Sequence, residues 1–129
     1  MVLREPLRVG PLRVATAPGA VRAFRRETGW DELDGPPPAS FPVIWLREKA
    51  IGEIFRAAAL DGGAPVHESQ RFDYEIPLET GRTYELMVVL RREDEPSRLI
   101  VEGEISDLDG RRVGSLVSVM RLVDLGAAS

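Results

Sequence analysis

The chain has 129 residues, no cysteine and a single histidine, and its formal net charge is −4 at pH 7. The lack of cysteine excludes disulfides and thiolate chemistry, and the negative charge argues against attraction of the whole protein to nucleic acid or to an anionic membrane. The sequence has no apolar run of membrane-spanning length and no apolar signal core at its amino terminus. We therefore expect residues 1–129 to form one cytoplasmic domain that binds neither nucleic acid nor membrane.

The amino-terminal part of the sequence predicts a strand followed by a short helix. Residues 7–16 alternate apolar and polar side chains in places, but Gly10-Pro11 interrupts the alternation, which is typical of a broken or bulged edge strand. The next helix is predicted over 17–28, with Thr16 as its N-cap.

This short helix leads into a loop. Val21 and Phe24 have the spacing of a core-facing pair, and Gly29 is placed to end the helix in a left-handed conformation. The ten residues 30–39, WDELDGPPPA, contain turn formers and three successive prolines. Because proline lowers the entropy lost on ordering, we expect an ordered loop between helices.

Residues 41–60, FPVIWLREKAIGEIFRAAAL, are predicted to form one long buried central helix. Ser40 is a plausible N-cap, Pro42 fits the first turn, and Pro65 lies beyond the end of the helix. An arc that approaches half of the helical wheel indicates a helix wrapped by a curved sheet. The apolar side chains on that arc are Leu46, Ala57, Ala50, Val43, Ile54, Ala58, Ile51, Ile44 and Phe55.

Residues 66–123 contain four apolar runs of strand length separated by turn signals, which predicts an antiparallel meander. The first run, 66–76, alternates so that Phe72, Tyr74 and Ile76 share one face while His67 falls on the other with Ser69, Arg71, Asp73 and Glu75. Between the last two runs, Asp109-Gly110 is the signal for a two-residue type I′ hairpin.

Several apolar side chains of the meander are predicted to form a second apolar face that one central helix cannot cover. We therefore expect a dimer or larger oligomer, either a homodimer or a heteromer with a related chain. The residues assigned to this second face are Met87, Val89, Leu116, Met120 and Leu122.

The segment PVHESQRFDYEIPLETGR, from Pro65 to Arg82, resembles the strand and turn signature of the MaoC-like dehydratase family. That family has a similar His-x-x-x-x-Phe-x-Tyr run followed by Pro-Leu and Gly-Asp, and Arg82 stands where its aspartate is usual. The likeness extends over nearly the whole chain. It implies an α+β hot-dog domain, with an antiparallel sheet wrapped around one long helix, that acts in fatty acid metabolism on acyl-CoA or acyl-carrier thioesters.

The chain departs from the family where the chemistry is expected. R-specific enoyl-CoA hydratases of this family hold and deprotonate water with the aspartate and histidine of a Gly-Asp-x-Asn-Pro-x-His loop. In this sequence Gly29 matches the glycine, Trp30 stands at the aspartate position, and Asp31 comes one residue late. No histidine occurs between Gly29 and Leu46. A carboxylate with an ordinary pKa is a weak base at pH 7, so Asp31 also fits a turn or capping role.

Five residues remain as candidates for a site. Asp31 and Glu48 are weak catalytic candidates; Glu48 is included because related hot-dog enzymes place a carboxylate on the central helix, although the wheel puts it on the polar side. Trp30, Arg47 and His67 are candidate substrate-binding residues, with core, surface and strand-end roles as their structural alternatives. The sequence contains no metal-ligand cluster, phosphate-binding loop or dinucleotide glycine pattern, so we expect no metal and no cofactor.

Two functions are compatible with this sequence. The first is a subunit that binds or shapes an acyl-thioester site and lacks its own hydratase dyad. The second is an active acyl-CoA thioesterase or a divergent enoyl-CoA hydratase or dehydratase that uses carboxylates. The missing loop histidine favours the first, and the isolated chain is then not an enzyme.

Overall fold

The computed structural model describes residues 5–62 and 64–123, without the side chains of Phe55 and residues 58–62. Five strands and three helical segments follow one another along the chain. In order they are β1 (Leu7–Ala15), α1 (Pro18–Glu27), a 3-10 helix (Phe41–Arg47), α2 (Lys49–Gly62), β2 (Ala64–Tyr74), β3 (Thr83–Asp94), β4 (Ser97–Ser106) and β5 (Arg112–Val123).

The strands form one antiparallel sheet in the order β1-β3-β4-β5-β2, which confirms the predicted α+β class. The predicted four-stranded meander is wrong in part: β3, β4 and β5 follow one another in the sheet, whereas β2 pairs with β5 and β1 lies beside β3. One face of the sheet, here called the inner face, packs against the helical segments and holds the core. Alternation along each strand places one apolar set there because successive side chains point to opposite faces. The central members of this set are Leu86, Val88, Leu90, Leu99, Val101, Ile105 and Leu116, all buried together with Phe41, Trp45 and Ile51.

Strand β1 is an edge strand with an irregularity, as the sequence predicts. Its register with β3 shifts between Val9 and Leu12. Gly10 has a φ of 120°, and a Cβ atom there would lie 2.8 Å from the carbonyl oxygen of Leu86. The bulge therefore requires glycine for both its backbone conformation and its close contact with β3.

Helix α1 buries Val21 and Phe24 as expected. Its end is a Schellman motif at Gly29, because the Gly29 N–H donates to the Arg26 oxygen and the Trp30 N–H donates to the Arg25 oxygen. The capping prediction for Thr16 is wrong. Its hydroxyl donates to the carbonyl oxygen of Glu79 at 2.6 Å, so Thr16 ties the end of β1 to the turn before β3.

The predicted central helix is not continuous. Its first part, Phe41–Arg47, is a 3-10 helix, Glu48 is extended with ψ 143°, and only Lys49–Gly62 is α-helical. A 3-10 helix turns about 120° per residue rather than 100°, so the predicted wheel fails there. Trp45 is buried although it lies off the predicted arc, and its indole N–H donates to the Ala15 oxygen at 3.2 Å. Ser40 makes no side-chain cap.

The predicted face of His67 is also wrong. The register of β2 against β5 shifts between His67 and Ser69, so Glu68 is an extra residue in the strand. One extra residue reverses the side-chain alternation on one side of it. His67 therefore lies on the inner face with Gln70, Phe72 and Tyr74.

The five residues that were predicted to form one second apolar face lie on two different faces of the sheet. Leu116 pairs with Gly103 and Met120 pairs with Leu99, so Leu116, Met120 and Leu122 belong to the inner face. The outer face contains Met87 and Val89, with Val117, Val119 and Ile100 on the neighbouring strands. Glutamates and arginines lie between them, so the outer face is less apolar than predicted. An oligomer remains a prediction.

The β4–β5 connection spans residues 107–111 and is longer than the predicted two-residue hairpin. Among the described residues only glycines have positive φ, and a type I′ turn would require it at Asp109 as well as at Gly110. The Asp107 carboxylate accepts hydrogen bonds from the backbone N–H groups of Asp109 and Arg111. This aspartate organises the turn and replaces the tight hairpin.

Candidate functional site

The segment 30–39, here called the 30–39 loop, is held by the side chain of Arg25 on α1. Arg25 is only 5% exposed. Its guanidinium donates to the Glu32 oxygen at 2.9 Å and to the Pro36 oxygen at 2.6 and 3.2 Å. Gly35 has a φ of 135°, and a Cβ atom there would lie 2.9 Å from the guanidinium. The buried arginine thus serves as the core around which the loop folds.

Further contacts close the loop on its neighbours. The Trp30 ring is 47% exposed and lies against Arg25, whose guanidinium carbon is 4.4 Å from the ring centroid. Arg22 forms an ion pair with Asp34, and the Thr80 hydroxyl donates to the Gly35 oxygen at 2.7 Å. These contacts are all structural. The loop is ordered, as predicted from its prolines.

Asp31 stands in this loop without a histidine. It is exposed, and within the described part of the chain it makes no side-chain hydrogen bond or ion pair. The single histidine, His67, lies on β2 at the inner face of the sheet. Trp30, at the position expected for the family aspartate, stacks on Arg25. The fold therefore assembles no aspartate–histidine pair at the 30–39 loop.

The carboxyl end of the loop forms one wall of an apolar groove of about 180 Å³. The Tyr74 hydroxyl bridges the two walls by donating to the Ala39 oxygen. Burial raises the pKa of Tyr74 above its ordinary value, so the hydroxyl is neutral and remains a donor at pH 7. This groove could not be predicted from the sequence, because it forms where the proline run of the loop lies beside the Pro77-Leu78 turn, and the two segments are far apart along the chain. The lining residues are Pro37, Pro38, Ala39, Tyr74, Pro77 and Leu78.

Arg47 and Glu48 lie together at the junction of the 3-10 helix and α2. Both side chains are exposed. The Glu48 backbone oxygen accepts the Gly52 N–H at 2.8 Å, so its backbone starts α2 while its carboxylate faces solvent. Lys49 pairs weakly with Glu53 at 3.9 Å. No hydrogen bond or ion pair between described residues links Glu48 to Asp31, Trp30 or His67, and the candidates therefore occupy three separate places.

Three polar side chains lie on the inner face where β2 meets β5, and we call His67, Gln70 and Ser118 the inner polar cluster. Ser118 is 1% exposed and is paired directly with Gln70 across the two strands. The His67 Nε2 atom is 3.4 Å from the Ser118 hydroxyl. The Gln70 Nε2 atom is buried and has no hydrogen-bond partner among the described residues. An unsatisfied buried donor lowers the free energy of unfolding by about 1–3 kcal/mol, so the stability of the fold does not explain a glutamine at this position.

The described residues contain neither a metal-binding group of side chains nor a membrane-spanning helix. Across 5–62 and 64–123 no group of three histidine, aspartate or glutamate side chains is arranged to hold a metal ion. No helix in the same ranges has the length and apolar character required to span a membrane.

No family model matches the chain, and no curated protein is significantly similar to it. Solved structures are similar in fold. The chain superposes on a HadBC (3R-hydroxyacyl-ACP dehydratase) complex from Mycobacterium tuberculosis with a TM-score of 0.70 at 18% identity, covering 90% of this chain and 93% of that one. A hot-dog-like protein from Thermanaerovibrio acidaminovorans gives a TM-score of 0.65 at 13% identity, with coverage of 95% and 84%.

The chain has a hot-dog fold. An (R)-hydratase from A. caviae involved in PHA biosynthesis is a more distant match, with a TM-score of 0.52 at 17% identity and coverage of 95% and 98%. Structural similarity at identities this low establishes the fold but does not assign an activity. Within the hot-dog fold, the features that bear on function are the 30–39 loop, the groove beside Tyr74 and the inner polar cluster.

Proposed function

We propose that this hot-dog chain binds or shapes an acyl-thioester site without a hydratase dyad of its own, and that a second hot-dog subunit completes the site. The Arg25-centred structure of the 30–39 loop is the observation that carries the proposal. This loop corresponds, in the family resemblance, to the loop with the catalytic aspartate and histidine. Here two carbonyl groups of the loop accept hydrogen bonds from Arg25 on α1, and the exposed Asp31 has no histidine in the loop with which to share a water.

The apolar groove is the proposed contact for the acyl-thioester group. Its walls of proline, alanine and leucine side chains are apolar, and the single Tyr74 hydroxyl proton is already donated to the Ala39 oxygen. Such a composition suits an apolar acyl chain that is held by contact with the walls rather than by a hydrogen bond from Tyr74. Arg47 is exposed on the segment that follows, and we assign it to the CoA phosphates, which a guanidinium binds well.

The proposed partner is a second copy or a related hot-dog chain that adds to the free edge of β2. Within the described part of the chain, strand β2 is an edge of the sheet and pairs only with β5. It has eleven residues, and beyond its own bulge at Glu68 it continues regularly from Ser69 to Tyr74, whereas the other edge, β1, has nine residues and a bulge at Gly10-Pro11. A long edge strand is a ready template for pairing with another chain. The HadBC complex, which contains a chain of the same fold, supports a second hot-dog subunit as the partner.

A hydratase assay combined with calorimetry tests the proposal. The purified chain should not hydrate crotonyl-CoA measurably, because loss of a positioned general base typically costs about 10²- to 10⁴-fold. It should bind decanoyl-CoA with a Kd of about 10 μM to 1 mM, and more tightly with its partner subunit. Ala39→Trp should fill the groove and abolish binding. Ala17→Trp, at another exposed position, is the matched control.

Two results would contradict this function. Robust crotonyl-CoA turnover that falls in Asp31→Asn or Glu48→Gln would make the chain an enzyme. Failure to bind decanoyl-CoA, with or without a partner subunit, would remove the acyl site. The role of Arg47 is checked separately. Arg47→Ala should weaken binding of decanoyl-CoA more than that of decanoyl-pantetheine, which lacks the nucleotide phosphates.

A further inference from the structure

The inner polar cluster lies within an otherwise apolar surface. On the strands beside it, Ser118 is paired with Val101 and Met120 is paired with Leu99, and both partners are fully buried. Helix α2 packs over β2 and β5. The buried atoms of this cluster, at Gln70 and Ser118, must find hydrogen-bond partners there, because water has little access to them.

The cluster has hydrogen-bonding capacity that the described residues do not use. The Gln70 Nε2 atom carries two N–H donors and is buried without a partner. Among the residues that the structure describes, the Ser118 hydroxyl has only the long 3.4 Å contact with His67. The Gln70 amide therefore needs an oxygen acceptor close to β2 and β5, and the Ser118 hydroxyl lies directly across the strand pair from it. His67 is itself exposed, so the cluster reaches from solvent at its outer end to buried atoms at Gln70 and Ser118.

The cluster lies at a defined distance from the groove. Gln70 is four residues before Tyr74 on the same face of β2, which is about 13 Å along the strand. Phe72 lies between them on that face and packs against the apolar core. An extended acyl chain needs about ten carbons to cover this distance.

We infer, building on the function proposed above, that the inner polar cluster selects acyl thioesters that carry an oxygen atom far from the thioester, such as a hydroxyl or ketone near carbon ten. The Gln70 amide donates to that oxygen, and the Ser118 hydroxyl binds it from the neighbouring strand. The groove beside Tyr74 then holds the thioester end of the same molecule.

The test compares three thioesters by calorimetry on the whole chain. They are decanoyl-CoA, 10-hydroxydecanoyl-CoA and its isomer 3-hydroxydecanoyl-CoA. We expect 10-hydroxydecanoyl-CoA to bind about 3- to 10-fold more tightly than the other two, which is the effect of one or two net hydrogen bonds. Gln70→Leu should remove this preference and leave the melting temperature of the free protein unchanged or higher. Ser118→Ala should reduce the preference, and Ser69→Ala on the outer face of the same strand is the control.

The other outcomes are distinguishable. Equal binding of all three thioesters overturns this inference and leaves the acyl site intact. Absence of binding by all three overturns the proposed function as well. If Gln70→Leu weakens all three equally, Gln70 holds the common CoA arm, and selection at the chain end is wrong. If Gln70→Leu lowers the melting temperature and the preference persists, Gln70 is structural. Ser118→Ala decides the matter if Gln70→Leu does not fold.

Discussion

The 30–39 loop and the inner polar cluster use polar groups in opposite ways. In the loop, Arg25 is almost fully buried and its guanidinium donates to two backbone carbonyl groups. In the cluster, the Gln70 amide nitrogen is equally inaccessible and has no partner among the described residues. Buried polar groups that are satisfied within the chain stabilise its fold, whereas unsatisfied ones destabilise it and are available to a ligand. The polar contacts of Arg25 therefore stabilise the loop, and the unsatisfied Gln70 amide is the group for which we propose a ligand.

The largest effect should follow from removing the centre of the loop. Arg25→Met deletes the donors to the Glu32 and Pro36 carbonyls, and we expect the free energy of unfolding to fall by about 3 kcal/mol. Urea denaturation measures this fall. Arg26→Met, at the exposed neighbouring position, should change it by less than about 0.5 kcal/mol. Similar small changes in both variants would mean that Arg25 does not organise the loop.

A moderate effect is expected where the two regions meet. The Tyr74 hydroxyl on β2 donates to the Ala39 oxygen of the loop, so Tyr74→Phe should lower the free energy of unfolding by about 1 kcal/mol. Because burial raises the pKa of Tyr74 in the folded protein, this hydroxyl contributes its full stability below the unfolded pKa. Its contribution is lost as the pH rises above about 10.

The wild type should therefore lose stability above that pH more steeply than Tyr74→Phe does. Thermal melts of both proteins from pH 7 to pH 11 measure the difference. Parallel stability curves over this range would contradict a half-buried tyrosine whose hydroxyl is hydrogen-bonded in the folded protein.

The smallest effect is expected at Glu68, two residues before Gln70 on β2. Its exposed carboxylate accepts two hydrogen bonds from Arg98 at 2.8 Å, and this bonding holds its pKa below the ordinary value, with Arg121 as a weaker influence. A lowered pKa in the folded state means that the contribution is present above the unfolded pKa and is lost as the pH falls through the folded one.

The melting temperature of Glu68→Gln should consequently lie slightly below that of the wild type at pH 7, and the gap should close below about pH 4. High salt should also reduce the gap, because the pair is exposed. A gap that widens in acid would show that Glu68 acts through something other than its charge.

The sequence by itself determined the elements and most of the core. Alternation in β3 assigned Tyr84, Leu86, Val88 and Leu90 to the buried face, since period-two patterns survive wherever a strand pairs regularly. Gly10-Pro11 marked the break in β1, and Gly29 marked the end of α1. These signals are local, because they depend on backbone conformations that a single residue type permits or forbids.

Only the tertiary structure decided where the candidate site residues lie. The bulge at Glu68 moved His67 to the inner face, and nothing in the composition of β2 announces a bulge, because it arises from pairing with β5. The change from 3-10 to α-helix at Glu48 likewise depends on packing of Trp45 under β1. The Arg25 side chain bonds to loop residues 7 and 11 positions away along the chain. Whether the Gln70 amide has a partner depends on the residues that lie across the strand pair and on the helix above it. Hydrogen-bond satisfaction is a property of three-dimensional neighbours, and a sequence pattern carries no record of it.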